Sequence, residues 1–205
     1  MARKPNIASK KQPRQSRSIA TVAAIVEAAT YILRRGGLAD FTSNKVAERA
    51  GVNVASFYQY FPNKEALLFH IVQRTWAEQL ARLEPILTSG DASPAGRLRA
   101  FVRELILVEA AEAELRRGLR AASVELHDTP EFKALLAHGK TLLHRFLADA
   151  LGKRVPEELD FAVETTAILI TSFTERATDE QRSTNHLLRQ ADFLADLLIG
   201  RFGLA

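Results

Sequence analysis

The residues with most to offer chemically lie between positions 53 and 64. The run Val54-Ala-Ser-Phe-Tyr-Gln-Tyr60 carries no charge, yet Ser56, Tyr58, Gln59 and Tyr60 present hydroxyl and amide groups within two helical turns. Such groups read nucleic-acid bases or hold phosphates: Gln59 can pair with an adenine edge, Ser56 can reach a base or a phosphate, and Ala55 can touch a thymine methyl. Lys64 opens the next predicted helix, where a cation is unfavourable against the helix dipole unless an anion docks there on the ammonium and the free backbone N–H groups. Tyr58 and Tyr60 beside it can donate hydroxyls to phosphates. Taken singly, Tyr58, Tyr60 and Phe61 also suit an aromatic core, and Lys64 a solvated surface.

Other chemistries find no support in the residues. The five histidines, His70, His127, His138, His144 and His186, show no metal-ligand spacing, and His127-Asp128 reads as a loop pair. There is no cysteine to serve as nucleophile or metal thiolate, and no Gly-rich phosphate loop. The chain is therefore expected to be no enzyme, to need no cofactor and to hold no metal. Without disulfides a reducing compartment is allowed, and the cytoplasm is the expected location.

The polar run acts on DNA only if its helix is held proud of a small scaffold. From Ser18, the residues Ile19, Val22, Ile25, Val26, Ala29, Ile32 and Leu33 recur at three- and four-residue steps, predicting a helix that stops at Gly36-Gly37. Thr42 is placed to cap a second, short helix with Val46, Ala47 and Ala50 facing inward, and Gly51 suits the left-handed backbone of a tight turn. Asn53 then caps a helix of about Val54 to Phe61, which Pro62 terminates, and Asn63 caps a fourth that runs toward Leu87. Two short helices joined through Val52 and a glycine turn predict a helix-turn-helix, with Val54, Phe57 and Phe61 on the inner side of the second helix.

Charge supports the same placement. Residues 1–74 hold twelve Lys/Arg and four acids, whereas residues 75–205 hold sixteen and twenty, so a net +8 front precedes a net −4 body. Residues 1–17 are rich in Pro, Ser, Gln, Lys and Arg and read as a flexible basic arm whose Arg14 and Arg17 could enter an adjacent minor groove. The apolar run Ile19 to Leu33 is interrupted by Glu27 and followed by Arg34-Arg35 in place of a cleavage site. It also falls short of the roughly 20 apolar residues a bilayer span needs, so no membrane partner is expected.

The stretch IVEAATYILRRGGLADFTSNKVAERAGVNVASFYQYFPNKEALL, residues 25–68, resembles the N-terminal domain of TetR-like transcriptional repressors. The resemblance rests on Phe41-Thr42, Val46-Ala47, Ala50-Gly51-Val52, Phe57-Tyr58, Tyr60-Phe61 and Lys64-Glu65 with Leu67. It implies base contacts from Val54, Ala55, Ser56 and Gln59, and phosphate contacts from Thr42, Ser43, Tyr58, Tyr60 and Lys64. It further implies that the first three helices read DNA, that effector binding displaces the fourth and spreads the recognition helices, and that the last two helices make a dimer. Departures fall at Asn53, Ala55 and Phe57, where Ser, Gly and Leu are usual, and at Asn44, where some relatives carry a base-reading Arg.

Behind residue 63 the reading is helical throughout. Ser93-Pro94, Thr129-Pro130 and Pro156 open helices, and Gly152 closes one. The fold class is all-α, with about nine helices: an arm over 1–17, a DNA-binding domain over 18–63, and an effector-binding and dimerisation domain over 64–205. In the last helix Arg189, Asp192 and Asp196 form a narrow polar stripe, and apolar residues cover the rest. An arc that wide needs two packing partners, which predicts a homodimer through Ile168, Leu169, Phe173, Leu187, Leu188, Ala191, Leu194 and Leu198; burial within one subunit is the other solution. A pocket for a hydrophobic or aromatic small-molecule effector is expected among residues 95–175, lined by Phe101, Leu105, Leu119, Phe146, Ile168 and Phe173, with Trp76 on the connecting helix. An architectural DNA binder without an effector is the competing class, and the long second domain argues against it.

Overall fold

The structure, a computed structural model, describes residues 6–7, 15–152, 155–179 and 182–204. Among these residues there are ten α-helices: α1 (Ser16–Arg35), α2 (Gly37–Asp40), α3 (Ser43–Arg49), α4 (Val54–Tyr60), α5 (Lys64–Thr88), α6 (Pro94–Ala111), α7 (Ala113–Ala122), α8 (Pro130–Leu151), α9 (Pro156–Asp179) and α10 (Thr184–Phe202). A 3-10 turn, Val124–Leu126, lies between α7 and α8. The helix unforeseen in the sequence is the single turn α2. Gly36 ends α1 as expected, but Gly37, at φ 61°, reverses the backbone and lets four residues coil again before Phe41.

The chain forms two compact units, one of Met1–Trp76 with Glu114–Lys133 and one of Ala77–Ala113 with Ala134–Ala205. This differs from a boundary at residue 63: the first half of α5, all but the first residue of α7 and the start of α8 belong with the helix-turn-helix. In the first unit α1 supplies Ile25, Val26, Ala29, Ile32 and Leu33 to the core, together with Phe41, Val46, Ala47, Phe57 and Phe61. By length and composition α1 passes for a membrane span. Its Ile25, Val26, Ala28, Ala29, Ile32 and Leu33 are buried in this unit.

Gly118 shows how closely α7 is seated on α1. A Cβ built there would stand 2.6 Å from the backbone oxygen of Leu33, closer than any side chain tolerates. Gly118→Ala should therefore lower the melting temperature: overpacking costs about 1–3 kcal/mol, and better helix propensity returns no more than about 1 kcal/mol. A melting temperature equal to or above that of the parent would contradict this packing.

In the second unit α6 lies along α10, and α8 and α9 complete the core. Leu98, Val102 and Ile106 of α6 meet Leu142 and Leu147 of α8, Val163 and Ile170 of α9, and Leu187, Ala191, Leu194 and Leu198 of α10. The polar side of α10 is also occupied. Arg99 reaches Asp196 at 2.5 Å, and Arg103 reaches Asp192 at 3.3 Å, so two α6 cations cover the acidic stripe.

Candidate nucleic-acid interface

The helix-turn-helix is built by caps that operate over three or four residues. Thr42 Oγ1 accepts from the Lys45 N–H at 3.3 Å and starts α3. At the end of α3, Gly51 adopts φ 65° and the Val52 N–H returns to the Ala47 carbonyl at 3.0 Å, turning the chain. Asn53 Oδ1 accepts from the Ala55 N–H at 2.8 Å and starts α4. Phe61 then takes the extended backbone that a following proline favours, ending α4. Asn63 Oδ1 accepts from the Ala66 N–H at 2.7 Å and starts α5 at Lys64.

Within α4 one side is anchored and the other is open. Phe57 is fully buried, with its ring edge-on to Tyr58 at 5.2 Å and tilted on Phe61 at 5.9 Å. Val54, Ala55, Tyr58 and Gln59 are exposed, and Ser56 and Tyr60 are half-buried. Val54 was expected on the inner side; at 37 % exposed it belongs to the open side instead, because Phe57 and Phe61 already fill the core. Thr42 is exposed and Ser43 half-buried at the start of α3. The Thr42 oxygen that caps α3 as an acceptor still carries a hydrogen it can donate. Lys64, half-buried, occupies the first position of α5, where its ammonium adds to unsatisfied backbone N–H groups.

Neighbouring charges are already committed. Lys45 forms an ion pair with Asp40, and the Arg49 guanidinium lies 3.2 Å from the centre of the Tyr31 ring. Neither pairing was foreseen, since each joins residues that no local pattern relates. Behind Phe61, His70 packs edge-on at 5.5 Å, and burial first, then the Arg74 charge, lowers its pKa. The neutral ring is thus the folded form, and the stability it supports declines as pH falls below its ordinary 6.5 toward the lowered folded value.

The model of the family described as bacterial regulatory proteins, TetR family, matches residues 25–71. An HTH-type transcriptional regulator of Mycobacterium tuberculosis H37Rv is 30% identical over 151 residues, which cover 74% of this chain and 68% of that protein. This chain belongs to the TetR family. As a member of that family it is a DNA-binding transcriptional regulator and not an enzyme. Two of the solved structures that share its fold illustrate the likeness. One is SmeT, the repressor of the Stenotrophomonas maltophilia multidrug efflux pump SmeDEF, at a TM-score of 0.69 and 23% identity, over 90% of this chain and 91% of that one. The other is FadR from Bacillus subtilis in complex with stearoyl-CoA, at 0.68 and 17%, over 86% and 97%.

The residues expected behind the TetR head are placed less uniformly. Leu187, Ala191, Leu194 and Leu198 are not dimer contacts, because each is at most 4 % exposed in the core of the second unit. Ile168 and Leu169 are exposed, while Phe173 and Leu188 are half-buried. The exposed large apolar residues of α9 and α10 are Phe161, Ile168, Leu169, Phe193 and Leu197; the spacing of apolar residues along these helices does not single out Phe161 or Phe193. Of the expected pocket residues, Ile168 faces solvent at 57 % exposed and Leu119 is buried in the first unit, so neither lines a cavity in the second. Phe101, Leu105 and Phe173 pack half-buried against the second core, and Phe146 is buried within it. Trp76 closes the first unit with its indole N–H buried and without a hydrogen-bond partner.

Most of the basic arm, Arg14 included, lies outside the described residues, and Arg17 is exposed in the first turn of α1. The described part is not free: Ile7 is 2 % exposed, and the Asn6 carbonyl accepts from Asn63 Nδ2 at 2.9 Å. The available signal was Ile7 itself, the one branched aliphatic residue among residues 1–17.

Proposed function

We propose that this TetR-family chain is a ligand-responsive repressor that acts in the cytoplasm, binds a palindromic operator as a homodimer and is released by a small-molecule effector. The observation that carries the DNA-reading part is α4, with Phe57 fully buried beneath an uncharged polar surface of Ser56, Tyr58 and Gln59. Val54, Ala55, Ser56 and Gln59 read bases, while Thr42, Ser43, Tyr58, Tyr60 and Lys64 hold the backbone. Lys64→Ala should weaken binding on all sequences and reduce the salt slope by about one, whereas Gln59→Ala should relax preference at a single base pair. If Lys64→Ala altered sequence preference alone, the two roles would be wrongly assigned.

Dimerisation is supported by the apolar side of α9 and α10, where Phe161, Ile168 and Phe193 are each more than half exposed. Two such surfaces meeting about a twofold axis would bury them in a four-helix bundle and set the recognition helices about 34–36 Å apart. The effector is apolar, lodged against Phe101, Leu105 and Phe173 of the second unit, with Thr166 Oγ1, buried and without a hydrogen-bond partner, available to a polar group on it. The stearoyl-CoA carried by FadR and the repressor role of SmeT fit this reading. Selection of bound duplexes from random DNA, followed by a small-molecule screen for release, tests the proposal. An operator that no tested compound releases would leave a DNA-binding protein without an effector.

A further inference from the structure

The turn α2 carries one charged side chain, Asp40, and that carboxylate is paired with Lys45 in the first turn of α3. Asp40 is seated closely on both sides. A Cβ built at Gly36 would collide with the Asp40 side chain, so the bare backbone there is what lets the carboxylate fold back. Both members of the pair also bond to Thr42: its N–H donates to the Asp40 carbonyl at 2.9 Å, and its Oγ1 accepts from the Lys45 N–H at 3.3 Å. About half of each charged side chain is exposed, so the pair meets any charge that approaches this edge of the head.

We infer that Asp40 is a specificity-determining residue for DNA binding: it cancels the charge of Lys45 beside Thr42 and so restrains attraction to duplexes of any sequence. The inference rests on the reading of Thr42 and Ser43 as phosphate contacts. Asp40 is at most about 7 Å along the chain from Thr42, inside a Debye length of about 8–10 Å, so salt does not hide its charge from a phosphate held there. At that range an ammonium alone would add a phosphate contact and release a counterion. An ammonium beside a carboxylate presents about zero net charge, and the carboxylate repels the phosphate even when the ion pair opens. Non-specific affinity is set by such charges, whereas the α4 run that reads bases, Val54–Tyr60, carries none. Lowering the first without touching the second widens the margin between operator and bulk DNA.

The experiment follows binding of the full chain to a short mixed-sequence DNA duplex in a salt series. Asp40→Asn should steepen the salt slope by about 0.9, which adds about 3.5-fold to the affinity lost between about 50 mM and 200 mM. Asp40→Asn combined with Lys45→Gln should return the slope to within about 0.3 of the parent, because two neutral amides replace the pair. An unchanged slope in Asp40→Asn overturns the inference, as does a steeper slope that persists without Lys45. A double variant whose slope falls about 0.9 below the parent also overturns it, since Lys45 would then hold a phosphate despite Asp40. Thermal melting is measured alongside: a pair that only supports the start of α3 would lower the melting temperature and leave the slope alone. Asp40→Ser, also neutral, gives the same test should the asparagine variant fail to fold. Asn44→Lys separates the two readings by adding an exposed cation in the same turn as Lys45. If it steepens the slope and Asp40→Asn does not, this edge meets DNA and only the masking fails; if neither does, the phosphate reading of Thr42 and Ser43 fails as well.

Discussion

Phe57→Ala is expected to unfold the DNA-binding head and abolish duplex binding. Phe57 is fully buried and contacts both Tyr58 and Phe61, so truncation removes a large apolar side chain and the ring contacts that hold α4. Loss of a buried phenyl group costs about 3–5 kcal/mol, a large share of the stability of an ordinary domain. Phe57→Leu keeps most of the volume and should cost less than about 1.5 kcal/mol while retaining binding. Urea titration followed by circular dichroism, with duplex binding measured in parallel, compares the two. An alanine variant that loses under about 1 kcal/mol would mean that α4 is held by something other than its inner face.

On the proposed homodimer, Phe193→Asp is expected to give a monomer and weaken operator binding by about 100-fold or more, because linking two half-site contacts contributes on the order of 10²–10⁴ in avidity. Phe193 is 64 % exposed on its own subunit, so the substitution leaves the subunit core untouched and should change its folding by less than about 0.5 kcal/mol. Leu198→Asp would give no such clarity, since Leu198 is 1 % exposed and a carboxylate there disrupts the core itself. Sedimentation velocity and operator titration read the outcome. A Phe193→Asp protein that remained dimeric would remove α10 from the interface.

The head was legible because its determinants are local. Thr42, Asn53 and Asn63 each cap a helix within three residues of themselves, Gly51 turns the chain on its own backbone freedom, and Pro62 stops the preceding residue from coiling. The last helix was legible only in part. Its period identified which positions were apolar, and the residues closest to the centre of that arc, Leu187, Ala191, Leu194 and Leu198, were assigned to a partner subunit. They are the core, because α6 crosses that side and places Arg99 and Arg103 against Asp196 and Asp192. The flank of α10 bearing Phe193 and Leu197 is left exposed.

Sequence alone settled the class of fold, the positions of most helix ends and the extent of α4, since each depends on interactions spanning a few residues along the chain. Tertiary structure decided which apolar face is inside, that α7 rests on α1 at Gly118, and that Asn63 also holds Asn6. Those contacts join residues tens of positions apart, and periodicity records how a side chain is spaced along its own helix but not which other helix will lie over it.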